Sequence, residues 1–384
     1  MSRSISLLLI VLVVTFAMSS ANTLSWAAVK EVAKLVVPPL SSSLHKGQMG
    51  RIGVLGGSEE YTGAPFYAAK SSLMLGADLS FVFCAEAATV PIKSYSPEIM
   101  VVPFYTKEDE LKTISSSSSS SMLSSMIEER GKIVTDYFSR LHCMIIGPGL
   151  GRKSIALETA KFVIKAAVEA QLALVIDADG LYALNQDLSL IHGYKKCILT
   201  PNVVEFDRLK QQAIRFKESN LNLMDDINPD DPDPYKQTQA ISKMLGGVTI
   251  FRKGVVDIIS NGEIVFGVEE EGSMRRCGGQ GDILAGSLGL LSHWMQLNEK
   301  GVASFAVSLS PIVFSSLNQD DHSDDPLLPT TIFNNSTAAT AWACIFASTL
   351  VRRAGKLGFE RKRRSMTSPD VIDSIGDSYE WMME

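Results

Sequence analysis

Residues 144–176 have the sequence MIIGPGLGRKSIALETAKFVIKAAVEAQLALVI and contain the pattern that determines the expected fold. Two short apolar runs, Met144–Ile146 and Leu172–Ile176, have the length and composition of buried strands. A glycine-rich turn and a helical pattern over Ile155–Ala170 lie between them. A strand, a helix and a second strand in this order form a βαβ unit, in which the two strands lie parallel.

The same alternation of strands and helices continues on both sides of this segment. Further predicted strands are Ile52–Leu55, Leu79–Cys84, Cys197–Leu199 and Val248–Phe251, and Pro65–Gly76 is a predicted helix. The dipeptide Asn261-Gly262 separates the runs Asp257–Ser260 and Glu263–Phe266 and predicts a hairpin with a two-residue turn. The chain is therefore expected to form an α/β domain around one mostly parallel sheet.

Two segments interrupt this alternation. Ser115–Ser121 is an unbroken run of serine, and Asp225–Tyr235 is rich in Asp and Pro. Both lack apolar periodicity, so we expect solvent-exposed loops within a single domain. That domain is predicted over residues 45–356, with a polar C-terminal tail over residues 357–384.

The composition argues against some classes of protein. The chain has 384 residues, of which 46% are apolar and 20% charged, as is usual for a globular protein. A net charge of −6 and a pI of about 5.5 are opposite to the basic surface of nucleic-acid-binding proteins, so no nucleic acid partner is expected. Five cysteines without a CxxC pair have no metal-site spacing and favour a reduced compartment.

The N-terminal residues 1–30 contain an apolar leader. Ser6–Met18 is a mostly apolar stretch that follows a single Arg3 and is too short for a typical membrane span. It resembles the core of a signal peptide, and an organelle presequence is the alternative. The localisation stays open between a reduced intracellular compartment (cytoplasm, mitochondrion or plastid) and targeting or membrane association through the leader.

The strongest motif is Gly278-Gly279-Gln280-Gly281-Asp282, directly before the apolar helical run Ile283–Trp294. Glycines allow successive backbone N–H groups to converge, and the start of a helix adds unpaired N–H donors and the positive end of its dipole. Together these features favour an anion hole for a phosphoryl group, with Asp282 placed to accept a proton from an attacking hydroxyl. The alternative is a glycine-rich turn in which Asp282 only caps the helix.

Two further motifs follow predicted strands, where α/β proteins bind ligands. Lys253-Gly254-Val255-Val256-Asp257 offers an ammonium to phosphate charge and a carboxylate to a ribose hydroxyl, or else forms an ordinary turn with a surface ion pair. Thr200-Pro201-Asn202-Val203-Val204-Glu205-Phe206 presents an amide and a carboxylate at the edge of the sheet. Asn202 and Glu205 also have the spacing of a helix capping box, and we expect both roles together.

The turn Gly147-Pro148-Gly149-Leu150-Gly151-Arg152 is not a dinucleotide fingerprint. Its spacing is GxGxG rather than GxGxxG, and Pro148 removes one N–H, so a hydride-transferring Rossmann enzyme is disfavoured. Close approach of this backbone to a ligand stays open. Asp177 and Asp179 follow the next strand and are suited to hold Mg²⁺ through water, or else are solvated acids of a turn, so no metal ligand is assigned.

The order of these motifs along one chain resembles that of the nucleotide-dependent NAD(P)H-hydrate dehydratase family. Between about His45 and Arg353 the matching runs are Lys46-Gly47, Gly50-Arg51, Gly56-Gly57-Ser58, Tyr61-Thr62-Gly63-Ala64-Pro65, Ser96-Pro97-Glu98, Gly147-Pro148-Gly149-Leu150-Gly151, Asp177-Ala178-Asp179-Gly180, Thr200-Pro201-Asn202 with Glu205-Phe206, Lys253-Gly254 and Arg276-Cys277-Gly278-Gly279-Gln280-Gly281-Asp282. Gln280 is specific to this family, since sugar and vitamin kinases of the same fold usually carry a different small residue there. Met274 departs from the family pattern, in which a proline is expected.

This resemblance implies a ribokinase-like three-layer α/β/α sandwich and an ATP-dependent lyase that converts (6S)-NADHX and (6S)-NADPHX back to NADH and NADPH. ATP is the implied co-substrate and Mg²⁺ the implied cofactor; the ring hydroxyl is phosphorylated and phosphate then leaves. The residues implied to bind the hydrate are Gly149, Asn202, Val203, Val204, Glu205, Phe206, Asp207 and Arg208. Those implied to bind the nucleotide are Lys253, Gly254, Val255, Val256, Asp257, Gly272, Ser273, Met274, Arg275, Arg276, Cys277, Gly278, Gly279, Gln280 and Gly281. Asp282 is implied to be both a substrate ligand and the general base.

Two other functions stay open beside this one. A small-molecule kinase of the same fold, such as a vitamin-precursor kinase, would leave the phosphate on its product, and a non-catalytic module would bind nucleotide without turnover. The NAD(P)HX epimerase, which many bacterial relatives carry as a fused domain, is expected to be a separate protein, because the first motif begins at Lys46. The oligomeric state is open, with a homo-oligomer among the expected assemblies.

Overall fold

The computed structural model describes residues 30, 33–34, 37–115, 120–219, 227–297 and 336–384, in which nine strands form one sheet. The strands are β1 (Arg51–Leu55), β2 (Leu79–Ala85), β3 (Ile99–Tyr105), β4 (Cys143–Ile146), β5 (Ala173–Ile176), β6 (Cys197–Leu199), β7 (Thr249–Arg252), β8 (Asp257–Ser260) and β9 (Val265–Val268). Their order across the sheet is β3-β2-β1-β4-β5-β6-β7-β8-β9. Neighbours from β3 to β7 are parallel, and the pairs β7–β8 and β8–β9 are antiparallel. The prediction of one mostly parallel sheet is confirmed.

Helices form a layer on each face of this sheet, which gives the expected α/β/α sandwich. Before β4 they are α1 (Gly63–Leu75), α2 (Glu86–Tyr95), α3 (Lys107–Ser115) and α4 (Ser120–Thr135). After β4 they are α5 (Ser154–Glu169), α6 (Ala178–Leu184), α7 (Val203–Ser219), α8 (Pro234–Met244), α9 (Gln280–Leu297), α10 (Ser336–Lys362), α11 (Ser368–Ile372) and α12 (Ile375–Met383). Helix α9 packs against α1 and α10 in one layer, and α5 packs against α4 and α6 in the other.

The topology of the sheet brings the carboxyl ends of its parallel strands to one edge. All residues of β4, β5 and β6 are buried, as is usual for strands covered on both faces. The chain runs from β1 outward to β3 and then returns to β4, so the strand order reverses between β1 and β4. Open α/β sheets bind ligands outside the carboxyl ends of their strands, and the residues described below lie at the ends of β5, β6 and β7, to one side of this reversal.

The predicted parallel strands are confirmed to within one residue, but two parts of the sheet differ from the prediction. The sequence analysis does not predict β3: Ile99–Val102 is a run of four apolar residues, but the exposed Pro103 interrupts it, and proline is tolerated only in edge strands such as this one. Strands β8 and β9 form the predicted hairpin, but Ser260 pairs with Val265, so residues 261–264 form a longer loop. Asn261 Oδ1 closes this loop by accepting two of its backbone N–H groups, at 3.0 and 2.9 Å.

The two segments predicted as loops are helical at their ends. Ser115 is the last residue of α3 and Ser120 the first of α4, while residues 116–119 lie outside the described residues. Residues 225–226 of the Asp- and Pro-rich segment also lie outside them, and this segment ends in the first turn of α8. There Asp233 caps the helix and accepts a hydrogen bond from the N–H of Tyr235 (2.8 Å). The predicted extent of both loops was wrong because Ser, Asp and Pro also favour helix starts.

Residues 357–384 are not the polar tail that the sequence predicts. Helix α10 continues to Lys362, and α11 and α12 follow it. Met366 in the connection to α11, Val371 in α11 and Ile375 in α12 have no exposed surface, so this segment adds to the core. The apolar residues are divided between two short helices, and each pattern is too short to reveal its period.

The predicted leader over residues 1–30 lies outside the described residues except for Lys30. Within the described ranges, no helix combines the length and the apolar character that crossing a membrane requires. All five cysteines are free, and Cys84, Cys143 and Cys197 are buried in the core, as predicted.

Candidate active site

Three strand ends bring a buried ion pair to the carboxyl edge of the sheet. Asp177 follows β5, Thr200 follows β6 and Lys253 follows β7. Asp177 is 2% exposed, and its Oδ1 accepts hydrogen bonds from the Lys253 ammonium and the Thr200 hydroxyl, each at 2.7 Å. Lys253 Nζ also lies 4.0 Å from Glu205 Oε2. A carboxylate this buried depends on such partners, because an unpaired buried charge is very unfavourable.

Two opposing effects determine the charge of Lys253. Burial lowers the pKa of its ammonium, but the Asp177 and Glu205 carboxylates outweigh that effect, and the net pKa is raised above its usual value. Lys253 therefore keeps its positive charge near neutral pH, and its side chain is still 22% exposed. A fixed cation at this position is suited to phosphate charge, as the sequence predicts.

Asp282 has a strongly perturbed pKa. It lies in the first turn of α9, which begins at Gln280, so it does not occupy the cap position that the alternative interpretation gave it. Burial raises the pKa of Asp282, the Asp177 carboxylate raises it further and Lys253 lowers it, with a result of about 7. A carboxylate with this pKa is ionised in large part near neutral pH and binds a proton more strongly than an ordinary aspartate. These properties suit a general base.

The residues before α9 form a loop that is braced by its own side chains. Gly279 has φ of +98°, which favours glycine, and its carbonyl accepts the N–H of Ile283 at 3.0 Å. Gln280 Nε2 donates back to the carbonyl of Arg275 (3.1 Å) and to Cys277 Sγ (3.3 Å). The first turn of a helix also has N–H groups without intrahelical partners, so this glycine loop (residues 278–281) has the donors that an anion hole needs.

A cavity of about 960 Å³ opens beside the glycine loop. The predicted nucleotide ligands that line it are Lys253, Gly254, Val255, Asp257, Gly272, Ser273, Met274, Arg276, Gln280 and Gly281. The other predicted ones, Val256, Arg275, Cys277, Gly278 and Gly279, lie in the same loops but do not line it. Leu284 and Val351 add an apolar wall. The size and mixed lining suit a nucleotide.

The start of α7 contributes the first half of the predicted hydrate-binding motif to this cavity. Asn202, Val203 and Val204 line it. The N–H of Asn202 donates to Glu205 Oε2 (2.9 Å), and the N–H of Glu205 donates to Asn202 Oδ1 (3.0 Å). The predicted capping box is confirmed, and it holds Glu205 beside the ammonium of Lys253.

The second half of the same motif does not face the cavity. Phe206 is fully buried, with the Arg252 guanidinium 4.1 Å from its ring centre. Because the helical turn directs the Phe206 side chain into the core, the predicted contact of Phe206 with the hydrate would have to come from its backbone. Asp207 and Arg208 are exposed on α7 and do not line the cavity.

Asp257 is bonded within the protein through both carboxylate oxygens. Oδ1 accepts the N–H of Gly254 (3.0 Å), and Oδ2 accepts Ser348 Oγ and Arg352 Nε, each at 2.7 Å. These bonds tie the loop after β7 to α10. A ribose hydroxyl would have to bind carboxylate oxygens that already accept these bonds. The structure therefore shows that Asp257 holds the loop after β7 against α10, a role that the sequence did not indicate.

The turn after β4 is held by one of the two carboxylates considered for Mg²⁺. Asp179 Oδ2 accepts the N–H of Gly151, and its Oδ1 accepts Arg152 Nε, each at 3.1 Å. Gly149 lies in the same turn with φ of +61° and does not line the cavity. Asp179 therefore stabilises the turn, and of the two carboxylates only Asp177 takes part in the ion pair of the site.

Sequence reasoning missed Tyr67, which lies against the glycine loop. A Cβ atom at Gly279 would be 2.7 Å from Tyr67 Cδ2. Burial raises the pKa of Tyr67, and the neighbouring Tyr95 and Asp282 raise it further, so the phenol is neutral at physiological pH. Tyr67 comes from α1, far from the loop in sequence, and no motif spacing connects the two.

A mostly parallel sheet with a fixed lysine, a carboxylate base and a glycine loop at its carboxyl edge defines a ribokinase-like, nucleotide-dependent enzyme. Solved structures share this fold. A ribokinase-like superfamily protein from Enterococcus faecalis has a TM-score of 0.61 at 18% identity, over 92% of this chain and 94% of that one. An ADP/ATP-dependent NAD(P)H-hydrate dehydratase from Bacillus subtilis, co-crystallized with ATP and Mg²⁺, has a TM-score of 0.57 at 14% identity, over 92% and 97%.

The chain belongs to the NAD(P)H-hydrate dehydratase family, whose model matches residues 52–318. It is 37% identical to an ATP-dependent (S)-NAD(P)H-hydrate dehydratase of Arabidopsis thaliana, over 95% of this chain and 87% of the relative. It is 38% identical to the protein of that name from Homo sapiens, over 92% of this chain and 84% of the relative. The resemblance inferred from the motifs is confirmed.

Proposed function

We propose that the protein is an ATP-dependent dehydratase that converts (6S)-NADHX and (6S)-NADPHX back to NADH and NADPH. The observation that carries the proposal is the position of Asp282 at the start of α9, beside a nucleotide-sized cavity. Its pKa is about 7, and the charges of Asp177 and Lys253 contribute to that value. Phosphoryl transfer to a hydroxyl requires a base, an anion hole and fixed positive charge. The names of the relatives identify the hydroxyl compound as a nicotinamide hydrate.

The proposed reaction has two balanced steps. In the first, the Asp282 carboxylate takes the proton of the ring hydroxyl, the hydroxyl oxygen bonds to the γ-phosphorus of ATP, and the bond from that phosphorus to the bridging oxygen breaks to release ADP. In the second, a proton passes from the adjacent ring carbon to solvent, the electrons of that C–H bond form the ring double bond, and the ring C–O bond breaks as phosphate leaves with its electron pair. Phosphorylation is needed because hydroxide is a poor leaving group and phosphate is a good one.

The side chains present fit a Mg²⁺ ion that is held mainly by the nucleotide. Asp177 and Glu205 are the carboxylates next to Lys253, and in the described part of the chain no three His, Cys, Asp or Glu side chains form a metal cluster. Mg²⁺ usually keeps several waters and binds one or two carboxylates together with substrate phosphates. Asp177 and Glu205 are the residues that would hold it. When bound, the ion neutralises phosphate charge during transfer.

Incubation of the purified protein with (S)-NADHX, ATP and Mg²⁺ tests the proposal. The absorbance of reduced nicotinamide should return, with one ADP and one phosphate released for each NADH. A kinase of the same fold would consume ATP and accumulate a phosphorylated product without that absorbance. A non-catalytic nucleotide-binding module would do neither. Either of the last two results would overturn the proposed function.

The proposal predicts a rise in activity with pH that follows Asp282. Only the ionised carboxylate accepts a proton, and its pKa is raised to about 7. The value of kcat/KM should therefore fall roughly tenfold for each pH unit below 7 and level off above it, because kcat/KM reports the free enzyme. The measurement is initial rates from acidic to mildly basic pH. A flat profile down to pH 5 would contradict the assignment.

Both forms of the hydrated cofactor are expected to be substrates. In proteins with a dinucleotide fingerprint, an acidic residue that follows it can repel the 2′-phosphate of NADP. The turn after β4 in this chain lacks that fingerprint. We expect kcat/KM for hydrated NADH and hydrated NADPH to agree within about tenfold. A difference of hundredfold or more in parallel assays would show that the site discriminates at the 2′ position.

We further propose a separate epimerase as the pathway partner, since a dehydratase specific for the S hydrate leaves the R hydrate unused. The five free cysteines support a reduced compartment as the place of action. Coupled assays with an R/S mixture, with and without added epimerase, measure how much hydrate this protein converts by itself.

A further inference from the structure

A residue of the C-terminal segment contacts the glycine loop. Ser368, the first residue of α11, donates a hydrogen bond from its hydroxyl to the carbonyl of Gly278, and its Oγ lies 3.7 Å from Cys277 Sγ. Its side chain is buried, so solvent does not compete for this carbonyl. A second bond joins the same two segments, since Arg275 Nε donates to the carbonyl of Met366 at 2.6 Å.

The bond from Ser368 fixes the direction of one peptide unit of the loop. In a planar trans peptide the C=O and the N–H point in opposite directions. Because Ser368 holds the carbonyl of Gly278 toward α11, the N–H of Gly279 points away from α11. Gly279 has little room to readjust, since a Cβ at this position would be 2.6 Å from Ser368 Oγ and 2.7 Å from Tyr67 Cδ2.

We propose that Ser368 is a positioning residue for phosphoryl transfer, which orients the Gly278–Gly279 peptide so that its N–H serves as a donor of the anion hole. Ser368 acts through the loop and does not touch the substrate. The inference rests on the proposed function, because that function gives the anion hole its role. Ser368 belongs to no motif of the sequence analysis.

The expected effect of losing this bond is on turnover rather than on nucleotide binding. An oriented N–H donor stabilises the charge that develops in the transition state more than the charge of bound ATP. Complete removal of such a donor lowers kcat by about 100- to 1,000-fold. Ser368 orients the donor and does not supply it, so Ser368→Ala should lower kcat by roughly tenfold, with the KM for ATP changed by less than about threefold.

Ser365 provides a matched control in the same segment. It is exposed, and its hydroxyl donates to the carbonyl of Lys362 (2.7 Å), so Ser365→Ala removes the same atom without affecting the loop. The experiment compares kcat, the KM for ATP and the melting temperature of wild type, Ser368→Ala and Ser365→Ala in the dehydration assay. We expect Ser365→Ala to match wild type and Ser368→Ala to lose kcat alone.

Thr367→Ala separates positioning from general loosening of α11. The Thr367 hydroxyl donates to Asp370 Oδ2 (3.0 Å) at the start of α11, so Thr367→Ala loses this bond, weakens α11 and leaves the Ser368 hydroxyl in place. Two results would overturn the proposal. The first is a wild-type kcat in Ser368→Ala. The second is a loss of kcat in Ser368→Ala that accompanies a fall in melting temperature, with Thr367→Ala showing the same loss for the same fall. Inactivity of the wild type would instead overturn the proposed function.

Discussion

Asp282→Asn is expected to lower kcat for NADHX dehydration by about 100- to 10,000-fold, the usual range for loss of a general base. The amide is nearly the same shape as the carboxylate but cannot accept the hydroxyl proton. The cavity beside the loop is unaltered, so ATP binding measured by calorimetry should stay within a few-fold of wild type. A variant that retains a third or more of wild-type kcat would remove Asp282 from the mechanism.

The thermal stability of this variant provides the control. The pKa of Asp282 is raised from 3.8 to about 7 in the folded protein, so folding favours its protonated form. The contribution of this group to the free energy of unfolding is fully present below pH 3.8 and is lost as the pH rises to 7. At pH 8 the ionised and buried carboxylate is therefore unfavourable to folding, and an uncharged asparagine avoids that penalty. Asp282→Asn should melt no lower than wild type at pH 8, so that lost activity cannot be attributed to unfolding.

Gly279→Ala is expected to lower kcat/KM by at least about 100-fold, comparable to the loss of an anion-hole donor. The backbone at φ of +98° is unfavourable for alanine, and the added methyl would stand 2.6 Å from Ser368 Oγ and 2.7 Å from Tyr67 Cδ2. Ser368 is held by its bond to Gly278, so the loop has to move instead and its N–H groups lose their convergence. Steady-state kinetics measures the loss.

Gly278→Ala tests whether crowding causes that effect. A Cβ at Gly278 meets no atom within 4 Å, and Gly278 is not among the glycines with positive φ. The same methyl group at the neighbouring position should thus cost at most about fivefold in kcat/KM. Equal losses in the two variants would mean that any change of the loop is damaging, and the steric explanation for Gly279 would fail.

The parallel sheet could be predicted because its strands are buried on both faces and each appears as a short apolar run. The same criterion did not identify β3, whose apolar run Ile99–Val102 is interrupted by Pro103. It failed again for α11 and α12, whose buried residues, such as Val371 and Ile375, are too few in each helix to show a period. Burial patterns thus reveal elements that are long or central and miss those that are short or peripheral.

Motifs placed the chemical groups of the site but not their partners. Lys253 and Asp282 follow recognisable turns, and both are found at the carboxyl edge of the sheet. Their pKa values depend on Asp177, and Ser368 and Tyr67 contact the glycine loop before Asp282; these three residues come from distant parts of the chain and converge only in the fold. Spacing within a motif can reveal a local bond such as the capping box, but a contact between distant segments leaves no spacing to detect.

The pairing of Lys253 with Asp177 also affects how the sequence can change over evolutionary time. Replacing the lysine alone leaves a carboxylate that is 2% exposed without its cation, and breaking such a buried pair typically destabilises a protein by about 3–5 kcal/mol. That is a large share of the total stability of most domains. A lineage released from selection for catalysis would thus retain the lysine for as long as Asp177 is present. Purifying selection for a folded protein would preserve this cation even where nucleotide binding is no longer selected.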